Sequence, residues 1–244
     1  MSVEVKPSLD KAPQKIAAMF DAIAGRYDLL NTVLSAGLDR YWRRRAIDSL
    51  QLTGRERLLD VCTGTADVAI GAARRPTGAR RVVGVDFSKA MLLRGGDKVR
   101  DASLGGRVGL IRGDATALPV ADSSVDAATS AFGIRNVQRT DLACRELVRT
   151  LRPGGRLAIV EFGLPVVPAV RPLYLWYFRH VLPRIGRAVS RHDMAYDYLP
   201  ASVGAFQYGD EFAGILTAAG FCRVQARPLA FGIVYLYTAE KPRT

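Results

Sequence analysis

The sequence predicts an α/β fold, a doubly wound and mostly parallel sheet of seven strands with an antiparallel strand at its C-terminal end. Three observations predict it. Short apolar stretches alternate with helix-period stretches between residues 57 and 161, the pattern of successive βαβ units. The first three strand candidates each end in a Gly- or acid-containing turn. Two further strand candidates near the C-terminus are joined by a link too short for a parallel crossover.

The elements follow in order. Residues 1–12 are polar and are expected to be mobile. From Pro13 to Ala24, Ile16, Ala17, Met19, Phe20 and Ile23 fall on one helical face. A second helix covers roughly Asp39 to Leu50, with Arg40, Arg43, Arg44 and Arg45 partly sharing a face. The strand candidates are Arg57–Cys62, Val82–Asp86, Val108–Ile111, Val125–Ser130 and Arg156–Glu161. Ser88 is placed to cap the helix carrying Met91 and Leu92, and Thr140 the helix carrying Leu142 and Leu147. Pro153-Gly154-Gly155 is expected to end the latter helix and turn the chain into the fifth strand. Val166–Val189 reads as helical, and Asp210–Ala219 as a short helix ended by Gly220. The strands Cys222–Ala226 and Ile233–Ala239, linked through Pro228 and Gly232, close the sheet.

Composition narrows the function. The chain has 244 residues, 49% of them hydrophobic, enough for one α/β domain with additions. No apolar run approaches the ~18 residues of a membrane span, and the N-terminus does not read as a signal peptide. Cys62, Cys144 and Cys222 are far apart, which fits a reducing compartment and suits no metal site, so no metal is expected. The formal charge of +12 points to polyanions, either nucleic acid or an anionic membrane surface.

The chemistry gathers at one sheet edge. The first strand runs into Asp60-Val61-Cys62-Thr63-Gly64-Thr65-Ala66-Asp67, where Gly64 allows close backbone approach and Thr65 offers a hydroxyl. Asp86 ends the second strand, where a carboxylate accepts both hydrogen bonds of a ribose diol. Asp114 and Ala115 follow the third, where an acid accepts an adenine amine. Three such loops after consecutive strands meet at one carboxyl edge and predict an adenosyl ligand. A dinucleotide is disfavoured, because the loop has only Gly64 and no Gly-x-Gly-x-x-Gly. The expected fold is therefore that of a class I S-adenosylmethionine-dependent methyltransferase, with S-adenosyl-L-methionine as cofactor.

Over nearly its full length the chain resembles the menaquinone and ubiquinone biosynthesis C-methyltransferases, of the demethylmenaquinone methyltransferase type. The resemblance rests on Phe20 to Asn31 with its Tyr27-Asp28-x-x-Asn31, on Ser35 to Arg43, and on Gly133-Ile134-Arg135-Asn136-Val137. Leu151 to Arg156, Glu161-Phe162 and Tyr198 to Val203 also match. It implies methyl transfer to a ring carbon of a demethylated prenyl quinol, demethylmenaquinol becoming menaquinol. By position it puts cofactor contacts at Thr65, Asp86, Asp114 and Ala115. The chain departs from the family at Ala66, where a glycine is usual, and at Ala131, where a Ser or Gly is usual.

The mechanism asks for an electron-rich ring. A free phenol titrates near ~10, so the site needs a base or a cation. Arg135 is the expected cation and Asn136 could orient an oxygen. Tyr27, Asp28 and Asn31 are expected from an N-terminal lid, residues 1–50, over a methyltransferase domain 51–244 that carries a helical insertion at about 166–205. Asp28 is a candidate proton acceptor; His180, among aromatic residues, is a reserve base, and His192 sits in a polar loop. The competing acceptors are a 2-methoxy-benzoquinol, a sterol or a phospholipid amine. A nucleic-acid methyltransferase is disfavoured, since no Asn/Asp-Pro-Pro-Tyr motif or RNA-binding module is present. The expected setting is cytoplasmic and peripheral, at the inner face of an anionic membrane, as a monomer or a homodimer. The expected membrane contacts are Pro13–Ala24, the arginines at 40 and 43–45, and Leu173 to Arg187.

Overall fold

The computed structural model describes residues 11–181, 184 and 194–243. The expectation for residues 1–10, the role weighed for His192, and most of 182–193 therefore lie outside the described residues.

Three helices come first: α1 (Pro13–Ile23), α2 (Tyr27–Leu34) and α3 (Leu38–Ser49). The alternation begins with β1 (Arg57–Val61), α4 (Asp67–Arg74), β2 (Arg81–Asp86), α5 (Lys89–Asp101) and β3 (Val108–Arg112). It continues through β4 (Val125–Ala131), α6 (Thr140–Thr150) and β5 (Leu151–Phe162). Next come α7 (Val170–Trp176), α8 (Met194–Ala205), α9 (Asp210–Ala219), β6 (Cys222–Leu229) and β7 (Val234–Glu240).

The strands form one seven-stranded sheet in the order β3-β2-β1-β4-β5-β7-β6. The first five are parallel, and β7 inserts antiparallel between β5 and β6. Alternate strand residues feed two cores, one on each face. Leu58, Val82, Ala158 and Val160 face one layer, with Trp42 and Ile47 of α3 and Leu50 just after it. Leu59, Val85, Leu157 and Ile159 face the other, with Leu147 of α6 and Phe212 and Leu216 of α9. Both faces are covered, so the strands read as nearly unbroken apolar runs.

Three local expectations are corrected. Ser88 caps α5, accepting from the Met91 N–H at 3.1 Å, but Thr140 is the first residue of α6 and its hydroxyl donates to the Val137 carbonyl at 3.2 Å. Pro153-Gly154-Gly155 does not end α6. The helix stops at Thr150, and Leu151 already pairs with Val125, so these residues sit in an irregularity of the ladder between Leu151 and Arg156. The stretch from Val166 begins its helix only at Val170, and a π-helical turn, Tyr177–Val181, follows at Trp176.

Candidate active site

The carboxyl ends of β1, β2, β3 and β4 converge on a cavity of about 290 Å³. Gly64, Asp86, Asp114 and Ala115 line it, with Phe87, Met91 and Gly133 beside them and α1 above. The Asp86 carboxylate accepts from the Gly64 N–H at 2.8 Å and the Ser88 N–H at 2.9 Å. Burial nevertheless pushes its pKa up, the desolvation outweighing these hydrogen bonds. Asp114 uses Oδ1 to accept from the backbone and hydroxyl of Thr116, both at 2.8 Å. Its Oδ2 has no protein partner among the described residues and belongs to the cavity wall.

The β1 loop is shaped by its backbone. Cys62, Gly64 and Ala66 all take left-handed conformations. Ala66 does so where a glycine would carry no Cβ penalty, at the cost of some strain. Gly133 is required for another reason: a Cβ there would lie 2.2 Å from the Cys62 Cβ, so only glycine lets the β1 and β4 loops close on each other. Asp60, at the base of this loop, accepts from the Thr63 hydroxyl at 2.6 Å with one oxygen, while the other is buried with no hydrogen-bond partner among the described residues. Burial, with Asp86 nearby, lifts its pKa to about 7.

A second cavity of about 500 Å³ lies against the first. Phe20, Tyr27 and Phe132 form walls of both. The second is lined mainly by apolar and aromatic side chains from α1, α2, α3 and α7, including Leu30, Trp42 and Tyr174, and by Phe162 at the end of β5. Phe132 and Phe162 pack at 4.6 Å between centroids, with Trp42 edge-on to both. Its polar contributors include Arg135, Asn31, Ser35, Asp39, Arg43 and the tyrosine hydroxyls. The Asn31 Nδ2 is buried there beside Tyr27, with no hydrogen-bond partner in good geometry among the described residues.

The structure brings most expected site residues to these two spaces. Asn136 lines the first cavity, Arg135 the second, and Tyr27 both. Arg135 is not a bare cation. Its Nη1 donates to Glu161 Oε1 at 2.7 Å and to the Phe132 carbonyl, its Nε donates to the Ser202 hydroxyl at 3.3 Å, and Glu161 is fully buried. The guanidinium stacks 5.2 Å from the Phe162 centroid, and its Nη2 has no protein partner among the described residues. Tyr27 is held protonated, because burial raises its pKa against the lowering influence of Arg43 and Asn31.

Three expected residues, Asp28, Thr65 and His180, are placed outside the two large cavities. Asp28 lines neither large cavity: its carboxylate accepts from the Thr65 hydroxyl at 2.6 Å and from Lys98 at 2.9 Å. Thr65 thereby spends its hydroxyl on α2, and Lys98 also binds Asp67. His180 is exposed beside Trp176 and reaches neither cavity. Asp21 of α1 docks on the start of α5, accepting from the Ser88 hydroxyl and from the Ala90 N–H at 3.0 Å. Glu161, Lys98, Asp21 and Tyr198 were not singled out as site residues, since their partners lie far away in the chain: 70 residues separate Lys98 from Asp28. The described residues hold no cluster of three or more His, Cys, Asp or Glu able to bind a metal.

A match to the ubiE/COQ5 methyltransferase family spans residues 9–241. The chain belongs to this family. Among curated relatives of the ubiE/COQ5 methyltransferases, it is 44% identical to the "Ubiquinone/menaquinone biosynthesis C-methyltransferase UbiE" of Geobacter sp. (strain M21), covering 96% of this chain and 99% of that one. It is 39% identical to the "Demethylmenaquinone methyltransferase" of Bacteroides fragilis (strain YCH46), over 95% and 94% of the two chains. Among solved structures, the [4+2]-cyclase SpnF superposes with a TM-score of 0.69 at 19% identity, covering 96% and 97%. A Haemonchus contortus phosphoethanolamine N-methyltransferase 2 in complex with S-adenosyl-L-methionine gives 0.61 at 17%, covering 82% of this chain and 52% of that one. At such identities the last two speak for the fold alone.

Proposed function

We propose that this chain transfers a methyl group from S-adenosylmethionine to a ring carbon of a demethylated prenyl quinol, with demethylmenaquinol as the acceptor. The observation that carries this reading is the pair of adjoining cavities. One is edged by carboxylates at the ends of β2 and β3, the other is largely apolar, and Phe20, Tyr27 and Phe132 stand between them.

The residues fit an adenosyl cofactor. Asp86 would hold the ribose diol, Asp114 Oδ2 is left over for an amine, and the Ala115 backbone borders the same wall. Gly64 leaves its loop open to close approach. When bound, S-adenosylmethionine supplies an electrophilic methyl group and asks for no metal. The apolar cavity excludes water and suits a fused aromatic ring with an isoprenoid tail. Asn31 Nδ2 and Arg135 Nη2 are the donors available to the acceptor's oxygens. Donors of this kind favour the phenolate and so lower the acceptor's pKa. Glu161 fixes the Arg135 guanidinium and offsets part of its charge. Tyr27, protonated, orients the acceptor rather than taking its proton.

In this proposal the N-terminal helices form the lid. Asp28 and Asp21 serve as its anchors on the cofactor loops, and Asp28 is no longer the proton acceptor. The mouth of the apolar cavity sits at Leu38, Leu173 and Trp176, which line it and are also exposed. A tailed quinol would enter there from an anionic membrane surface. The deciding experiment incubates the purified protein with S-adenosylmethionine and demethylmenaquinol under reducing conditions. Mass spectrometry should find one added methyl group on the ring; an unmodified quinol beside methylated sterol or phospholipid amine would overturn the assignment.

A further inference from the structure

The 3₁₀ turn Ile134–Asn136 after β4 is buried and is gripped from one side by a single helix. Tyr198 and Ser202 lie one turn apart on α8, so they share a face. Ser202 accepts from Arg135, and the Tyr198 hydroxyl donates to Asn136 Oδ1 at 3.0 Å. The two bonded residues stand on different sides of a partition. Asn136 lines the cofactor-sized cavity and Tyr198 lines the apolar one. An amide oxygen that accepts the tyrosine O–H hydrogen bond leaves its –NH₂ as the group available to the cavity. Burial raises the Tyr198 pKa to about 12, so the hydroxyl keeps its proton and remains the donor.

We propose that Tyr198 is a positioning residue for the methyl transfer. It fixes Asn136 with the amide nitrogen toward the cofactor cavity, and acts on the reaction through that amide alone. This rests on the quinol methyltransferase reading. It gives the insertion helix α8 a task distinct from walling the pocket, since it aligns both residues that follow β4.

The test combines a spectroscopic and a kinetic arm. In ¹⁵N spectra, the side-chain amide pair assigned to Asn136 should shift in Tyr198→Phe; a pair that does not move overturns the proposal. In steady-state assays on demethylmenaquinol, Tyr198→Phe should lower kcat roughly tenfold while the cofactor KM changes by less than about twofold. The double variant with Asn136→Ala should be no slower than Asn136→Ala alone, because the two residues act as one unit. Asn136→Asp keeps the acceptor for Tyr198 but loses the amide donors, and should be as slow as Asn136→Ala. An active wild type whose Tyr198→Phe loss multiplies with that of Asn136→Ala, or an Asn136→Asp with full turnover, overturns the proposal alone. A wild type inert toward the quinol overturns the underlying reading and the proposal with it.

Discussion

At the scale of single residues, the site is a set of carboxylates and one guanidinium whose protonation and pairing set what each can do. Asp86 keeps two backbone N–H bonds yet carries a raised pKa, so the folded chain tolerates it at a cost. Asp86→Ala should weaken S-adenosylmethionine binding at least roughly tenfold, the scale of lost hydrogen bonds to a charged group, with little change in apo melting temperature. Calorimetry and thermal melts check both halves. Asp60 makes a pH prediction. Its folded pKa of about 7 lies above its ordinary value, so between the two the folded state binds more protons than the unfolded. Its favourable contribution is complete below the ordinary carboxylate pKa and is lost as pH rises toward 7. Apo melting temperatures should therefore fall across that window, and Asp60→Asn should flatten the slope; an equal slope in the variant removes Asp60 as the cause. Loss of Arg135 should affect stability as well as turnover. Arg135→Leu leaves Glu161 buried and uncompensated, which costs about 3–5 kcal/mol. Pairing it with Glu161→Gln should recover most of that stability in denaturant melts without recovering turnover, and an inactive, unstable double variant would show that the pair is not the cause.

At the scale of elements, local chemistry and long-range pairing divide what the chain makes visible. The βαβ alternation was legible because each parallel strand is an apolar run and each turn carries Gly or Asp. Ser88 was legible as a cap because its partner is three residues away. The insertion of β7 between β5 and β6 was not, since antiparallel runs near the C-terminus leave their neighbours open. Pro153-Gly154-Gly155 misled because a ladder irregularity and a helix stop use the same residues. In the site, Asp86 and Asp114 could be placed from strand ends, whereas the Arg135–Glu161 and Lys98–Asp28 pairs needed the fold to bring distant residues together. The second pair yields an element-level prediction. Lys98 joins α5 to Asp28 on α2 and Asp67 on α4, and Asp67 also meets Arg43 of α3 at 3.4 Å. Lys98 and Asp28 are partly exposed, so Lys98→Met should cost only about 1 kcal/mol or less of global stability. Local opening is another matter, because Asp28 ties α2 to the β1 loop and α5 through Thr65 and Lys98. Limited proteolysis should cut between residues 11 and 34 faster in Lys98→Met than in wild type while α3 and the sheet stay resistant, and unchanged protection there would remove this latch.

At the scale of the whole molecule, a strongly basic surface and an apolar cavity mouth occur in one protein. None of the described helices is long and apolar enough to cross a membrane. The apolar groups left in water include Leu29, Val33, Leu38 and Tyr41 on α2 and α3, Leu173 and Trp176 on α7, and Phe231. Leu38, Leu173 and Trp176 belong at once to the cavity wall and to the surface, so the tail of a bound quinol would leave beside them. The arginine set needs one revision. Arg43 turns inward to Asp39 and Asp67, leaving Arg40, Arg44 and Arg45 exposed. Each basic group near an anionic surface adds roughly 1 kcal/mol, weakened by salt, and the apolar rim adds burial in the interface. Cosedimentation with vesicles should therefore rise with anionic lipid and fall with salt. Replacing Arg40, Arg44 and Arg45 by Gln should lower binding most at low salt, where screening is least. Leu173→Ser with Trp176→Ser should lower binding at every salt concentration and raise the KM for a long-tailed quinol more than for a tailless one. That second comparison separates entry through this rim from a charge attraction unrelated to catalysis: equal KM changes for both quinols would mean that the tail does not leave the protein past Leu173 and Trp176.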